Sequence, residues 1–228
     1  MIQHSACDKC AFRKEICEVV SENEFQEIYN NTEQLTFKKG EIIFKQGTEA
    51  RYIAYIISGL AKLEYMTTRK MTQIAGLISG PVLIGGNYSM SGQKNILSVI
   101  ATEDCQVCLI SYQVIRSRAM VNPMFGLKIF DMISSAHQRI LENQLMLSCK
   151  RVPARVAGIL LLLSEQIYKS DYFSLPLTRR DLSYFISCSE ENVIRTLKSF
   201  EVDGIIELHG KLIKILDFKK LQTVYDVG

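Results

Sequence analysis

Three textures of apolar and polar positions follow one another along the chain. From Leu35 to about Ser111, short apolar runs are broken by turn residues. "LTFKKGEIIFKQGT" carries turn glycines at Gly40 and Gly47, and "RYIAYIISGLAKLEYM" places Gly59 between two strand-like runs. "MTQIAGLISG", "PVLIGGNYSMSGQKN" and "ILSVIATEDCQVCLIS" continue the pattern. Short strands recurring every roughly 8–12 residues predict a β-sandwich or barrel. After Asn122-Pro123 the texture changes. From Met124 to Ser148 the only glycine is Gly126 and there is no proline. Phe130, Ile133, His137, Ile140, Gln144 and Leu147 recur at coiled-coil spacing, the seam of a helix that meets a second copy of itself. At ~1.5 Å per residue that helix would reach roughly 37 Å. Ile129, Met132 and Ala136 form a second stripe beside the seam. Two stripes predict that one packs on the barrel and the other on the partner.

The third texture begins after Lys150, Arg151 and Pro153. A helix through "ARVAGILLLLSEQIYKS" leads into a segment that alternates helix, helix and hairpin. Thr178 is placed to cap a helix with Asp181 at its N3 position, a variant of the capping box. That helix would bury Leu182, Phe185 and Ile186. "SCS" makes a short turn, and Ser189 caps a second helix from Glu190 to about Val202. Gly204 closes it. "IIELHG" and "KLIKIL" then alternate around His209-Gly210 as a two-stranded wing. A short turn between two short helices, followed by a wing, is a winged helix-turn-helix.

On a helical wheel Val193, Leu197 and Phe200 share the face that packs on the first helix. Glu191, Ile194, Arg195 and Lys198 share the other. A carboxylate in the first turn is favoured by the helix dipole. Glu191 can accept from cytosine N4, Arg195 can pair with guanine O6 and N7, and Ile194 can meet a thymine methyl. Glu191 and Arg195 are four apart, so pairing between them is expected. Ser189 and Glu190 complete the DNA-facing set on this helix. Cations supply affinity: Arg179 and Arg180 on the first helix, Lys211 and Lys214 on the wing, and Lys150, Arg151 and Arg155 upstream.

The bulk numbers neither demand nor exclude such a partner. The 228 residues are 47% hydrophobic and carry a formal net charge of only +3, and a DNA footprint can be local. No run of 18 apolar residues occurs, the longest block being "VAGILLLL", so no membrane span is expected. The start, "MIQHSACDKC", lacks the pattern of a signal peptide, and a cytoplasmic protein is expected. Seven cysteines in that compartment argue against a disulfide framework. Cys7, Cys10 and Cys17 cluster at the N-terminus, and Cys105 and Cys108 lie together.

"TRRDLSYFISCSEENVIRTL" resembles the helix-turn-helix signature of the Crp/Fnr family of bacterial transcription regulators. Glu191 and Arg195 match the family's base-reading pair. Glu190 falls where some members have arginine. Ser187 stands where a turn glycine is usual, at a cost of about 1 kcal/mol if its φ is positive. "FKKGEIIFKQGTEARYIAYIISGLAKL" resembles the start of the family's β-roll, and the long helix resembles its dimerisation helix. The resemblance implies an α+β fold. A cyclic-nucleotide-binding-like, jelly-roll sensor domain with the N-terminal cysteines would take residues 1–123. A dimerisation helix would take 124–149, and a winged helix-turn-helix 150–228. It also implies a homodimer on a palindromic double-stranded operator, with RNA polymerase as a further partner.

Two sensing chemistries of the family can be tested on the residues. In cyclic-nucleotide members a glutamate takes the ribose and an arginine neutralises the phosphate. Here Gly86 replaces the glutamate, and Asn95 and Ile96 stand near the Arg-Ser position. Lys94 offers a charge without the arginine fork. Cyclic-nucleotide binding is therefore disfavoured. Oxygen-sensing members hold a [4Fe–4S] cluster on three N-terminal cysteines and one in the β-roll. Cys7, Cys10 and Cys17 resemble that spacing with one extra residue in the second gap, and "QVCLISYQVI" selects Cys108 as the fourth. Four thiolates suit iron–sulfur or zinc, and the thiols could also sense oxidants directly. His4 and His137 are the candidate ligands for a haem.

A regulator that senses redox or oxygen through a cysteine-bound cluster is the leading reading. The alternative is the same regulator without a cluster, sensing an oxidant or small ligand in the β-roll. A cupin-like enzyme is a remote third. It needs metal-ligating histidines on strands, and His4, His137 and His209 all lie outside the strand region. No catalytic motif is present, and no enzyme activity is expected.

Overall fold

The computed structural model describes residues 11–85 and 94–228. The chain divides into two compact units, one of Met1–Met66 and Leu77–Ile140, the other of Thr67–Gly76 and Leu141–Gly228. The long helix has residues in both units.

Two antiparallel four-stranded sheets make the β part, as the strand spacing predicts. The strands are β1 (Thr32–Phe37), β2 (Ile42–Phe44), β3 (Tyr52–Ser58), β4 (Leu60–Met66), β5 (Thr72–Ser79), β6 (Val82–Gly85), β7 (Ser98–Ala101) and β8 (Cys105–Ser111). Their orders are β1-β8-β3-β6 and β2-β7-β4-β5. Central strands read as apolar runs because both faces are covered: Ile53, Ala54, Tyr55 and Ile56 on β3 are all buried. Between β3 and β4 the chain turns at Gly59, with φ +97. A Cβ there would lie 2.4 Å from the Asp104 carbonyl oxygen, so only glycine fits.

Helices before and after the roll are not among the sequence expectations. α1 (Ala11–Ile16) and α2 (Glu22–Asn30) precede it, and α3 (Tyr112–Val121) follows it. α1 is short and charged, yet Phe12 and Ile16 are buried, and the Phe12 ring lies 5.1 Å from that of Tyr55. α2 begins in a full capping box of Ser21 and Glu24. Asn122 ties this region down, donating to the Val19 carbonyl at 2.7 Å and to Glu24 at 3.1 Å. The stretch between Cys10 and Cys17 is therefore docked helix. Phe12 and Ile16 lie a turn apart on its buried side, and Arg13 pairs with Glu22 and lies over the Phe25 ring.

α4 (Pro123–Ser148) is the long helix. α5 (Val152–Leu161) continues as a π-helical stretch over Leu162–Tyr168. β9 (Tyr172–Ser174), α6 (Arg179–Phe185), α7 (Glu190–Val202), β10 (Ile206–His209), β11 (Leu212–Ile215) and α8 (Phe218–Val227) complete the chain. The wing is a three-stranded sheet, β10-β11-β9, where the sequence reading has two strands.

Val193, Leu197 and Phe200 of α7 are buried, as are Leu182, Phe185 and Ile186 against them. Each such side chain contributes about 1.5–3 kcal/mol. Phe200→Ala is expected to cost about 3–5 kcal/mol of unfolding free energy in urea titration, transfer and cavity terms together. A loss below about 1 kcal/mol would mean that this face does not hold α7.

Candidate nucleic-acid interface

Local sequence builds the helix-turn-helix from both ends. Thr178 accepts from the Asp181 amide at 3.0 Å while Asp181 accepts from the Thr178 amide at 3.1 Å, the expected capping box. α6 ends at Ile186, and Ser187 takes φ +54. Serine thus occupies a left-handed position that costs it about 1 kcal/mol relative to glycine. The Cys188 amide donates to the Ser183 carbonyl at 3.0 Å and fixes the turn to α6. Ser189 then caps α7, its hydroxyl accepting from the Asn192 amide at 3.2 Å. Gly204, at φ +67, lets the chain leave α7 for the wing.

α7 leaves Glu190, Glu191, Ile194, Arg195 and Lys198 exposed. Ile194 is 52% accessible, an isolated apolar side chain among charges. Arg195 does not pair with Glu191 as expected. Its Nη2 donates to Asn192 Oδ1 at 2.6 Å, one turn back. Asn192 is three residues away on the same side of the helix and carries no charge, so it orients the guanidinium without neutralising it. Lys198 pairs with Glu201 at 2.6 Å.

The flanking cations divide into two groups. Lys211 and Lys214 are exposed on the wing, and across the sheet Lys214 stands opposite Tyr172 and Glu207. Arg180 is exposed, with Nε 2.6 Å from Tyr184 Oη and its guanidinium 5.5 Å from the ring, and the Tyr184 hydrogen bond raises its pKa. Arg179 is half-buried and donates to the Gly210 carbonyl at 2.9 Å, so it braces the wing turn. Burial lowers its pKa. In the upstream group Arg151 is exposed, while Lys150 and Arg155 depart from the sequence reading. Lys150 donates to the Tyr225 carbonyl at 2.5 Å and lies 4.4 Å from the Tyr225 ring centroid. Arg155 donates to three backbone carbonyls. Both are spent inside the protein. Asn192, Tyr184 and Tyr225 go unnoticed in the sequence. Spacing of three or four residues signals the first two, and nothing local signals the third.

Along α4 the proposed seam divides. Ile133 and Leu147 are buried in their own chain, while Phe130 is 65% exposed. His137 and Ile140 are half-buried and line a cavity, and His137 Nδ1 lies 2.8 Å from the Ile133 carbonyl. Gln144 donates to the Ala75 carbonyl at 2.8 Å. Besides Met124 in the first turn, the apolar side chains left open among the described residues of α4 include Leu127, Phe130, Leu141 and Leu145, with Ser134 and Gln138 between them. From Ser134 onward this line lies one residue beyond the expected one, about 100° round the helix. Of the second expected stripe, Ile129 and Ala136 are buried and Met132 half-buried, so the chain's own packing covers most of both expected stripes and the open line is a third set, not singled out from sequence.

β8 separates its two cysteines by an odd number of positions, so they face opposite ways. The Cys105 thiol is buried at 3.4 Å from the Leu60 carbonyl and 3.3 Å from that of Glu103, and burial followed by the Glu103 charge pushes its pKa up. Cys108 instead shares a core with Tyr55, Phe12 and Ile16. Its cross-strand partner on β3 is Tyr55, whose ring meets that of Phe12 on α1, and Cys17 follows α1 directly with its thiol exposed. Cys7, Cys10 and His4 lie outside the described residues, as does Gly86. Of the proposed ligand set the described residues are Cys17, exposed with Sγ 3.3 Å from the Lys14 carbonyl, and Cys108, buried in that core; among the described residues no three metal-ligating side chains stand together.

Inside the roll a cavity of about 60 Å³ is lined by Phe44, Leu63, Ile84, Val99, Ala136 and Ile140, with Asn95 and His137 as polar neighbours. No arginine or lysine is among the described residues that line it, and Lys94 is exposed. No helix is long and apolar enough to cross a membrane among the described residues.

Comparisons with known proteins agree with this architecture. Residues 34–121 match the family model described as cyclic nucleotide-binding domain, and residues 154–224 the one described as Crp-like helix-turn-helix domain. The transcriptional activator protein FnrA of Stutzerimonas stutzeri is 26% identical over 184 residues, covering 79% of this chain and 75% of that one. The cAMP-activated global transcriptional regulator CRP of Salmonella typhimurium is 28% identical over 178 residues, covering 76% and 84%. Among solved structures, a Crp/Fnr-family regulator from Eubacterium rectale superposes with a TM-score of 0.77 at 16% identity, covering 92% of this chain and 97% of that one. A cyclic-nucleotide-binding-type β-domain followed by a Crp-like helix-turn-helix, in the order its relatives share, makes this chain a member of the Crp/Fnr family of DNA-binding transcription regulators.

Proposed function

We propose that the protein acts as a homodimer on a palindromic operator, reads bases with α7, and responds to oxygen or redox state through cysteine thiolates. The observation that carries the readout is the exposed face of α7, where Glu191, Ile194 and Arg195 stand together and Asn192 orients the arginine. Glu190 and Lys198 flank it, Lys211, Lys214 and Arg180 supply phosphate contacts, and Arg179 braces the wing. The open line of Leu127, Phe130, Leu141 and Leu145 on α4 supports a parallel pairing of two copies. RNA polymerase is the further partner the family resemblance implies.

For the sensor, Cys7, Cys10, Cys17 and Cys108 would hold a [4Fe–4S] cluster, whose chemistry is an oxygen-labile change of charge and ligation. The chain's own part is to hold Cys108 on the roll and carry the other three on the segment that α1 anchors. A second reading is favoured by the roll cavity. At about 60 Å³ with an apolar lining it suits a small uncharged effector better than a nucleotide.

Selection of binding sites from random duplexes tests the readout. Arg195→Ala is expected to relax preference at one guanine of each half-site, a cost of about 1–3 kcal/mol, with other positions unchanged. Unaltered base preference in that variant would remove α7 from the groove.

A further inference from the structure

The sequence reading groups Arg155 with the cations near DNA, and the structure gives it other work. Its Nε donates to the Lys150 carbonyl at 2.6 Å, Nη1 to that of Ile186 at 2.8 Å and Nη2 to that of Ser148 at 3.3 Å. Ser148 is the last residue of α4, and Ile186 is the C-cap of α6. Carbonyls at helix ends lack partners within their own helix, and a cation beside them is favoured by the helix dipole. One planar fork therefore joins the end of α4 to the turn that leads into α7. From Ile186 the chain passes only Ser187, Cys188 and Ser189 before α7 begins, and that turn is bonded to α6 and capped by Ser189.

We propose that Arg155 determines which separation of operator half-sites the protein accepts. The inference rests on the dimeric, DNA-reading function proposed above. In that dimer α4 is the element that meets the partner, and α7 is the element that enters the groove. Whatever sets the angle between the end of α4 and the turn before α7 sets the distance between the two recognition helices. Half-sites lie about one helical turn apart in such dimers, and a base pair rises about 3.4 Å. A displacement of that size at α7 exchanges one spacing for the next. Guanidinium geometry is essential here, because an ammonium on a flexible stem cannot hold three carbonyls in one plane.

The experiment uses the full chain and a set of palindromic duplexes whose spacer runs from two base pairs shorter to two longer than the preferred one. Wild type is expected to bind the preferred spacing at least about tenfold better than its neighbours. Arg155→Lys keeps the charge and one carbonyl. It is expected to bring the spacings within about threefold of one another, with base preference inside each half-site unchanged. Should Arg155→Lys not fold, as thermal unfolding reports, Arg155→Gln carries the same measurement. Spacing discrimination equal to wild type would overturn the proposal. So would a flat loss of spacing and base preference together, which marks a structural residue only. A fall of about 0.9 per contact in the salt slope, with spacing preference intact, would make Arg155 a phosphate contact instead. Wild type that prefers no duplex over random DNA would remove the DNA reading itself, and the proposal with it. Duplex preference without spacing discrimination would remove the proposal alone.

Discussion

Leu141→Glu combined with Leu145→Glu is expected to convert the protein from dimer to monomer at micromolar concentration. These side chains are 59% and 57% exposed in the single chain, one turn apart on α4, with Phe130 and Leu127 continuing the line. Burying a leucine yields about 1.5–3 kcal/mol, and a symmetric pair of helices buries each position twice. Glutamates there would forfeit that burial and bring carboxylates of two copies together. Several kcal/mol is enough to shift a dimer's dissociation constant by orders of magnitude. Ile140→Glu acts differently. Ile140 lines the cavity inside its own unit, so its replacement is expected to lower stability there before it alters assembly. Light scattering separates the two. An unchanged dimer mass in the Leu141/Leu145 variant would place the interface elsewhere.

Cys108→Ser is expected to abolish iron loading, while Cys105→Ser leaves it intact. Protein purified without oxygen should carry about four irons per chain and broad visible absorption if four thiolates hold a [4Fe–4S] cluster. Cys108 faces the core shared with α1, the helix that Cys17 directly follows. Cys105 is buried against the Leu60 and Glu103 carbonyls, and burial followed by the Glu103 charge raises its pKa. If loading also favours operator binding, linkage requires Cys108→Ser to lose affinity in step with iron. Wild type free of iron, yet binding its operator fully, would leave the roll cavity as the site of the effector. Equal loss of iron in both variants would show that the choice of β8 face is wrong.

The C-terminal unit is the part most legible in sequence, because its signals are local. A cap needs a serine or threonine and an acceptor three residues on, and Thr178 with Asp181 and Ser189 with the Asn192 amide behave accordingly. The turn at Ser187 and the exit at Gly204 take the left-handed conformations that the family signature and glycine usage imply. Alternation gives β10 and β11. It does not give β9, whose three residues pair with β11 across a long separation in sequence. α1 escapes for a similar reason. A six-residue charged helix has little propensity of its own, and tertiary contacts hold it: burial of Phe12 and Ile16 and the pairing of Arg13 with Glu22.

By itself the sequence determined the order of elements, the two caps, the buried face of α7 and the side chains that face outward from it. Those follow from period and chemistry within a few residues. Which side chains spend their polar groups inside the protein depended on distant carbonyls and rings, and tertiary structure alone decided it. Arg195 took Asn192 rather than Glu191, Lys150 took Tyr225, and Arg155 took three carbonyls. α4 shows the limit most clearly. Two apolar stripes about 100° apart satisfy helical periodicity equally well. A stripe left for a partner differs from one consumed by the fold only in what the rest of the chain places against it.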